Sequence, residues 1–513
     1  MSDMKAPDAN MSASRIRKVV VVGRDEALWL ASNILLTSFH RTGLEIVAVE
    51  LPSRLRAVDV TPTLRNQQAF HGILRLKEAP VMALTQGVYT LGQRFSDFSK
   101  RLPGFVQGYG SDGQAINRVP FHHYWVKARA SGLKAAYDDF SLNAVAARQG
   151  RFFKPDADTD TFAECDYAYH FEALPYNRIL KQLVLERGIS HVAAPALGQV
   201  SRDADTGHIT AITLSDGQAV DGDLFVDATG AESLLLGGVM EAEFESWQSW
   251  LPCDRILTAS APPRTPLPSF SQVSAFRSGW AGQYPLRQRT AVRLVFRGTE
   301  LNDQQALQSA SAVTFMPFAP DAAVTGFTAG RRRVAWSGNC VGIGEAAAVF
   351  DPIDNVGMQG ILTGLSHLTS LLPLDGNMAL ERKEYNLNVQ SAYERIRDFQ
   401  ICHYKLNQRD GDPFWDQCRA TELPDSLAYK LRLFEARGHL VEYDDETFLD
   451  HDWRTMLLGH GLIPRAYDPV VDQVPDGEVM QRFQQMFGFI KNRVVAMKTM
   501  EAFMAQEAAQ PVA

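Results

Sequence analysis

Two hydrophobic periods alternate near the start of the chain. Val19–Val22 are four consecutive valines closing on Gly23, the pattern of a strand buried on both faces. EALWLASNILLTSF (Glu26–Phe39) then repeats its apolar positions at helical spacing, and LEIVAVE (Leu44–Glu50) is a second apolar strand ending in an acid. Strand, turn, helix and strand within roughly thirty residues make a βαβ unit, and an acid closing its second strand stands where ribose hydroxyls are gripped. Farther on, SRDADTGHITAITLSDGQAVDGDLFVDATG (Ser201–Gly230) predicts a β-meander: TGH and SDG are turns, ITAITL alternates, and LFVDATG is a buried strand entering a small-residue turn. CVGIG (Cys340–Gly344) predicts another strand, running into a helix that starts near Glu345. These three strand ends lie far apart in sequence, yet each stops at glycine, which lets backbone approach a ligand; they predict one site assembled from distant segments. From about residue 376 the helical period dominates, and ERKEYNLNVQSAYERIRDFQICHYK (Glu381–Lys405) is a single amphipathic helix.

The expected organisation is an N-terminal leader over 1–17, an α/β core over 18–375 with an interleaved sheet, and a mainly helical region over 376–513. A chain of 513 residues is long enough for a substantial core. Its net charge of -8 gives no electrostatic case for nucleic acid or an anionic membrane as partner. The five cysteines are scattered, with no CxxC pair, so neither a disulfide framework nor a metal site is expected. The polar start lacks a signal-peptide core, and the longest apolar runs are too short to span a bilayer, so the chain reads as soluble and cytoplasmic.

The dinucleotide fingerprint G-x-G-x-x-G falls on Gly23, Asp25 and Leu28, so only the first glycine is present. Asp25 and Glu26 would repel a pyrophosphate, Leu28 would crowd the helix against its strand, and Arg24 could supply a compensating charge. The alternative reading is a plain surface turn whose acids suit the helix dipole.

VDATG, followed by CVGIGEAAAVFDPIDNVG, carries a resemblance to the flavin-dependent tryptophan halogenases. LGQRFSDF (Leu91–Phe98), PFHHYW (Pro120–Trp125), YAYHFEALPYNRIL (Tyr167–Leu180), FESWQSWLPCDR (Phe244–Arg255) and YERIRDFQICHYKLNQRDGDPFW (Tyr393–Trp415) extend it over nearly the whole length. The resemblance implies an FAD-binding, Rossmann-like core of the glutathione-reductase type, with a β-sheet substrate region and a helical C-terminal region. It also implies reduced FAD supplied by a separate reductase, O2, chloride or bromide as halide, and a small electron-rich aromatic substrate; a homodimer is compatible with it. In that family, halide becomes hypohalous acid, which a lysine and a nearby glutamate bring to the ring.

Carried over residue by residue, the resemblance assigns cofactor contacts to Gly23, Arg24, Glu50, Pro62, Asp227, Gly230, Gly342, Gly344 and Gly357. The lysine position is Thr90, which can neither present a cation nor form a haloamine. The glutamate position is Asp354, for which helix N-capping is the competing role. Substrate or halide contacts fall to Tyr109, Trp280, Asn355, Val356 and Gly357. Gly282 replaces a second tryptophan and would leave space or relax a strand, and His122 and His123 are expected to be structural. Two further readings stay open at this stage: a degenerate homologue with a binding or regulatory role, and a flavin monooxygenase on the same scaffold.

Overall fold

The computed structural model describes residues 15–509. Strand β1 (Lys18–Gly23), helix α1 (Asp25–Phe39) and strand β2 (Glu45–Glu50) form the expected crossover, with β1 and β2 parallel and Gly23 opposite Glu50. All four valines of β1 are buried: Val19 and Val21 join the core that holds α1, while Val20 and Val22 join a second cluster on the opposite face. That two-sided burial is why the strand reads as continuous rather than alternating. β1 also pairs in parallel with Leu224–Ala228, which pairs with Cys340–Gly342, so the three glycine-ended strands finish side by side.

Leu197–Arg202, Ile209–Leu214 and Ala219–Asp221 form the expected meander on one face of this sheet. Downstream of β2 the chain makes β3 (Val60–Pro62), β4 (Val88–Thr90), β5 (Gly92–Ser96) and β6 (Phe105–Gly108). β3 and β4 flank Ala168–Glu172 in a three-stranded sheet. β5 and β6 form one edge of a seven-stranded sheet completed by segments between Arg255 and Gly326. The C-terminal part is helical apart from Lys498–Thr499, and its longest helix, Ala379–Lys405, ends in a fully protein-enclosed stretch.

Two expectations change. No helix starts at Glu345: Gly344–Ala346 is one 3-10 turn, Ala348–Val349 pairs with Gly330–Arg331, and the helix begins only at Gly357 and runs to Ser370. Gly344 sits at φ 62, which breaks the helix that the following alanines favour. Of the proposed leader, residues 1–14 lie outside the described residues, but the Ile16 amide donates to Leu374 O and the Arg17 amide to Asp223. Among the described residues no helix is long and apolar enough to cross a membrane, and no group of three or more His, Cys, Asp or Glu side chains is arranged to hold a metal.

Candidate active site

The first part of the site is the cradle where β1 meets α1. A Cβ on Gly23 would lie 2.2 Å from the carbonyl oxygen of Ala228, so only glycine lets the two strands close here. Arg24 is extended, and Asp25 opens α1 at φ 55, the left-handed conformation that glycine adopts most readily. Its carboxylate offsets the strain by accepting from Ser53 Oγ at 2.5 Å and from the Arg54 amide at 3.0 Å. Glu26 accepts from Thr61 Oγ1 at 2.7 Å, and burial pushes its carboxyl up to about 7. Glu232 pairs with Arg24 at 3.7 Å and with Arg54. The acids that looked hostile to a pyrophosphate are therefore each held by a partner, and Leu28 packs into the core instead of blocking it. No side chain caps the start of α1, which leaves a helix N-terminus suited to an anion.

The facing strand ends complete the cradle. Gly230 has φ 83, and the nearest atom to a Cβ there is Glu345 Oε2 at 3.8 Å, so this turn borders open space. Asp227 does not face that space: it is fully buried and accepts from Thr229, Leu235 and Leu236 amides, shaping the turn that presents Gly230. Glu50 receives Lys181 at 2.7 and 2.8 Å and His191 at 2.9 Å. Pro62 lies buried in β3, whose Thr61 is the partner of Glu26. Arg293 donates to Val60 O at 2.6 Å and Arg289 to Val58 O and Asp59 O at 3.0 Å, anchoring this strap to the large sheet. Open space at Gly230, an uncapped helix start and arginines with partnered acids fit a dinucleotide such as FAD.

The second part is the corner Asp351-Pro352-Ile353-Asp354. Asp351, not Asp354, caps its 3-10 turn, accepting from the Ile353 amide at 3.1 Å, so the N-cap alternative for Asp354 falls away. Asn355 is left-handed at φ 60, Val356 is buried, and the exposed Gly357 starts a helix with no side-chain cap.

The last turns of helix Ala379–Lys405 hold this corner from behind. Gln400 Nε2 donates to Asp351 O at 2.6 Å, and Tyr404 OH donates to Asp351 Oδ2 at 2.7 Å. Trp280 Nε1 donates to the same hydroxyl at 3.0 Å. His403 Nε2 lies 3.0 Å from Asp354 Oδ1, and His403 Nδ1 lies 2.9 Å from His460 Nε2. Burial pushes the Asp351 carboxyl up to about 7 and drives His460 well below the usual imidazole range.

In front of the corner lies a small cavity of about 70 Å³, bordered by Gln93, Gln107, Tyr109, Arg65, Gln359 and Asp452 among others. Gln93 Nε2 donates to Ile353 O at 3.1 Å. The Tyr109 hydroxyl lies beside the Asn355 amide, and Gln107 Oε1 and Asp354 Oδ2 are buried without partners. Such a concentration of unsatisfied polar atoms is characteristic of a ligand site. Arg65 and His451 meet at 2.7 Å on the wall separating this space from a cavity of about 540 Å³. Asp112, Tyr137, Glu164, Glu442, Asp450 and Arg454 line that larger space.

The remaining predicted residues fall elsewhere. Thr90 is fully buried, its hydroxyl donates to Gly92 O at 2.9 Å, and it lines neither cavity. Trp280 is likewise enclosed and tied to Tyr404. Of the two readings of Gly282, added space and a relaxed strand, the first falls away, since a Cβ there would meet Tyr284 OH at 2.7 Å. His122 and His123 sit in helix Phe121–Ala130, where His122 bonds Gly438 O and His123 accepts from the Asp468 amide. Sequence reasoning missed Gln400, His403, Tyr404 and His460. The signal for the first three was present: polar residues at i, i+3 and i+4 on a helical face embedded among apolar ones.

A model of the tryptophan halogenase family matches residues 18–476. The tryptophan 7-halogenase KtzQ of Kutzneria sp. (strain 744) is 26% identical over 546 residues, covering 96% of this chain and 99% of its own. The structure of BrvH, a flavin-dependent halogenase from Brevundimonas sp. BAL3, superposes with a TM-score of 0.91 at 33% identity, over 96% of this chain and 99% of that one. A flavin-dependent halogenase from Xanthomonas campestris gives the same TM-score at 28% identity, over 97% and 100% of the two chains. The α/β core is thus the FAD-binding, Rossmann-like fold of these enzymes, and the chain belongs to the tryptophan halogenase family of flavin-dependent halogenases.

Proposed function

We propose that this protein halogenates a small, electron-rich aromatic such as an indole, using reduced FAD from a separate reductase, O2, and chloride or bromide. The observation that carries this reading is Asp354: a buried carboxylate with one oxygen anchored and the other unpartnered, in the corner whose Ile353 carbonyl holds Gln93 at the border of a small polar cavity. Gly23, Arg24, Gly230, Gly342 and Gly344 would cradle the pyrophosphate, with Glu50 at the ribose and the Pro62 strap over the flavin. Reduced FAD, once bound, supplies with O2 the two-electron oxidation that turns halide into hypohalous acid.

The residues of the chain do the rest. The left-handed Asn355, the Val356–Gly357 backbone and the uncapped helix start offer amides to an anion. The small cavity is about the volume of two waters at ~30 Å³ each, suited to hypohalous acid. The larger cavity has the size usual for a small-molecule pocket, roughly 300–1,000 Å³. As the ring carbon bonds halogen, the oxygen–halogen bond breaks and hydroxide departs, to become water with the proton that the ring then gives up through Asp354. The ring C–H pair then returns to the aromatic system, and its proton passes to Asp354 Oδ2. All five cysteines are unpaired, which supports work in the reducing cytoplasm.

The test is reconstitution with FAD, a flavin reductase, NADH, O2 and bromide against indole, tryptophan and related aromatics, read by the isotope doublet of a brominated product. Bromination that Asp354→Asn abolishes is expected. Oxygenated product without bromination, under conditions where reduced flavin binds, would overturn the assignment in favour of a monooxygenase.

A further inference from the structure

The Asp354 corner is completed by a residue from the C-terminal region. His403 is fully enclosed, its ring stacked on Phe95 at 4.5 Å with an interplanar angle of 17°, and Phe98 and Phe399 pack around it. One ring nitrogen faces Asp354 Oδ1 and the other faces His460 Nε2. A carboxylate only accepts, so Nε2 must carry the proton toward Asp354. That holds whether Nδ1 accepts from His460 or donates to it. The stack on Phe95 fixes the ring plane, and His460, in turn edge-on to Phe98 and Phe105, fixes its rotation. The outcome is asymmetric: Oδ1 of Asp354 is held, and Oδ2 is a buried acceptor with no partner in the protein.

We infer that His403 is a positioning residue for Asp354, its Nε2–H holding Oδ1 so that Oδ2 alone is presented to the reacting ring, with His460 fixing the imidazole. Aspartate is the shorter carboxylic acid, and among the described residues His403 is the donor that holds its carboxylate. The inference rests on the proposed halogenation for its kinetic consequence, but its structural core does not.

Two substitutions separate positioning from packing. His403→Gln keeps an amide donor at the position of Nε2, whereas His403→Phe keeps an aromatic ring stacked on Phe95 and removes the donor. With indole and bromide, His403→Phe should lower kcat about 100-fold while KM stays within about 2-fold, and His403→Gln should recover kcat to within about 10-fold of wild type. Equal losses in the two variants, at unchanged melting temperature and flavin binding, would overturn the inference. A second readout needs no turnover: in histidine-labelled protein, the Nε2 proton and nitrogen resonances of His403, assigned by their loss in His403→Gln, should move in Asp354→Asn and in His460→Phe. If they stay in place, the contact does not exist in solution and the inference fails. If they move while wild type halogenates nothing, the contact stands and the halogenation reading is what falls.

Discussion

Asp25 is the residue at which the chain departs most visibly from a dinucleotide fingerprint, and its geometry makes a quantitative prediction. A left-handed non-glycine residue costs roughly 1–2 kcal/mol, less for Asp or Asn, whose side chains bond locally. Here the carboxylate offsets the cost with two hydrogen bonds, to Ser53 Oγ and the Arg54 amide, each contributing about 1 kcal/mol. The charge itself works against a pyrophosphate. At ~6 Å from one phosphate charge, repulsion is about 0.7 kcal/mol in water and about 2.8 kcal/mol at an effective dielectric of ~20. Asp25→Asn keeps the tolerance for positive φ and the acceptor toward Ser53, and removes the charge and one bond. It should therefore bind FAD about 3- to 100-fold more tightly at low salt while losing about 1 kcal/mol of stability. The assay is quenching of flavin fluorescence in about 50 and 500 mM salt, with thermal melting of the flavin-free protein alongside. Screening by salt should shrink the gain. Unchanged affinity at low salt, or a gain insensitive to salt, would show that Asp25 does not face the phosphates.

Three further substitutions probe the surroundings. Burial lifts the Glu26 carboxyl from 4.5 to about 7, so the folded state holds this proton more tightly than the unfolded chain, and the stability it brings is lost as pH rises through that window. Between about pH 5 and 8 the wild-type melting temperature should fall relative to Glu26→Gln; a pH-independent difference would mean the acid is not buried as described. Thr90→Val removes a hydroxyl bonded only within its own turn, and should cost about 1 kcal/mol of stability with halogenation unchanged. A lower rate at equal stability would instead place Thr90 in the chemistry. Tyr404→Phe deprives the buried Asp351 of its hydroxyl donor and should cost about 1–3 kcal/mol. Because it pushes the Asp351 carboxyl further above about 7, the drop in melting temperature should be larger near pH 8 than near pH 6; the reverse order would exclude Asp351 as the group responsible.

What was legible in the sequence follows from the range of the forces involved. β1, α1 and β2 announce themselves because burial period is a local property, and Gly23, Gly230 and Gly344 do so because close approach or a positive φ disfavours a side chain. The helix expected at Glu345 failed where a long-range term won: pairing of Ala348–Val349 with Gly330–Arg331 overrides the local propensity of the alanine run. Asp25 and Glu26 looked like damage to a phosphate loop because their partners, Ser53 and Thr61, lie 28 and 35 residues away. The same limit hid the Asp354 corner, whose anchors His403 and Tyr404 come from 49 and 53 residues downstream of the groups they bind. Yet a physical cue was present in that segment. Gln400, His403 and Tyr404 occupy one helical face between Ile396, Phe399, Ile401 and Cys402, and polar groups that must be buried by their neighbours' pattern must also be paired. Their partners are the two carboxylates and the Asp351 carbonyl of the D-P-I-D turn, and that pairing joins the helix signature to a candidate catalytic corner.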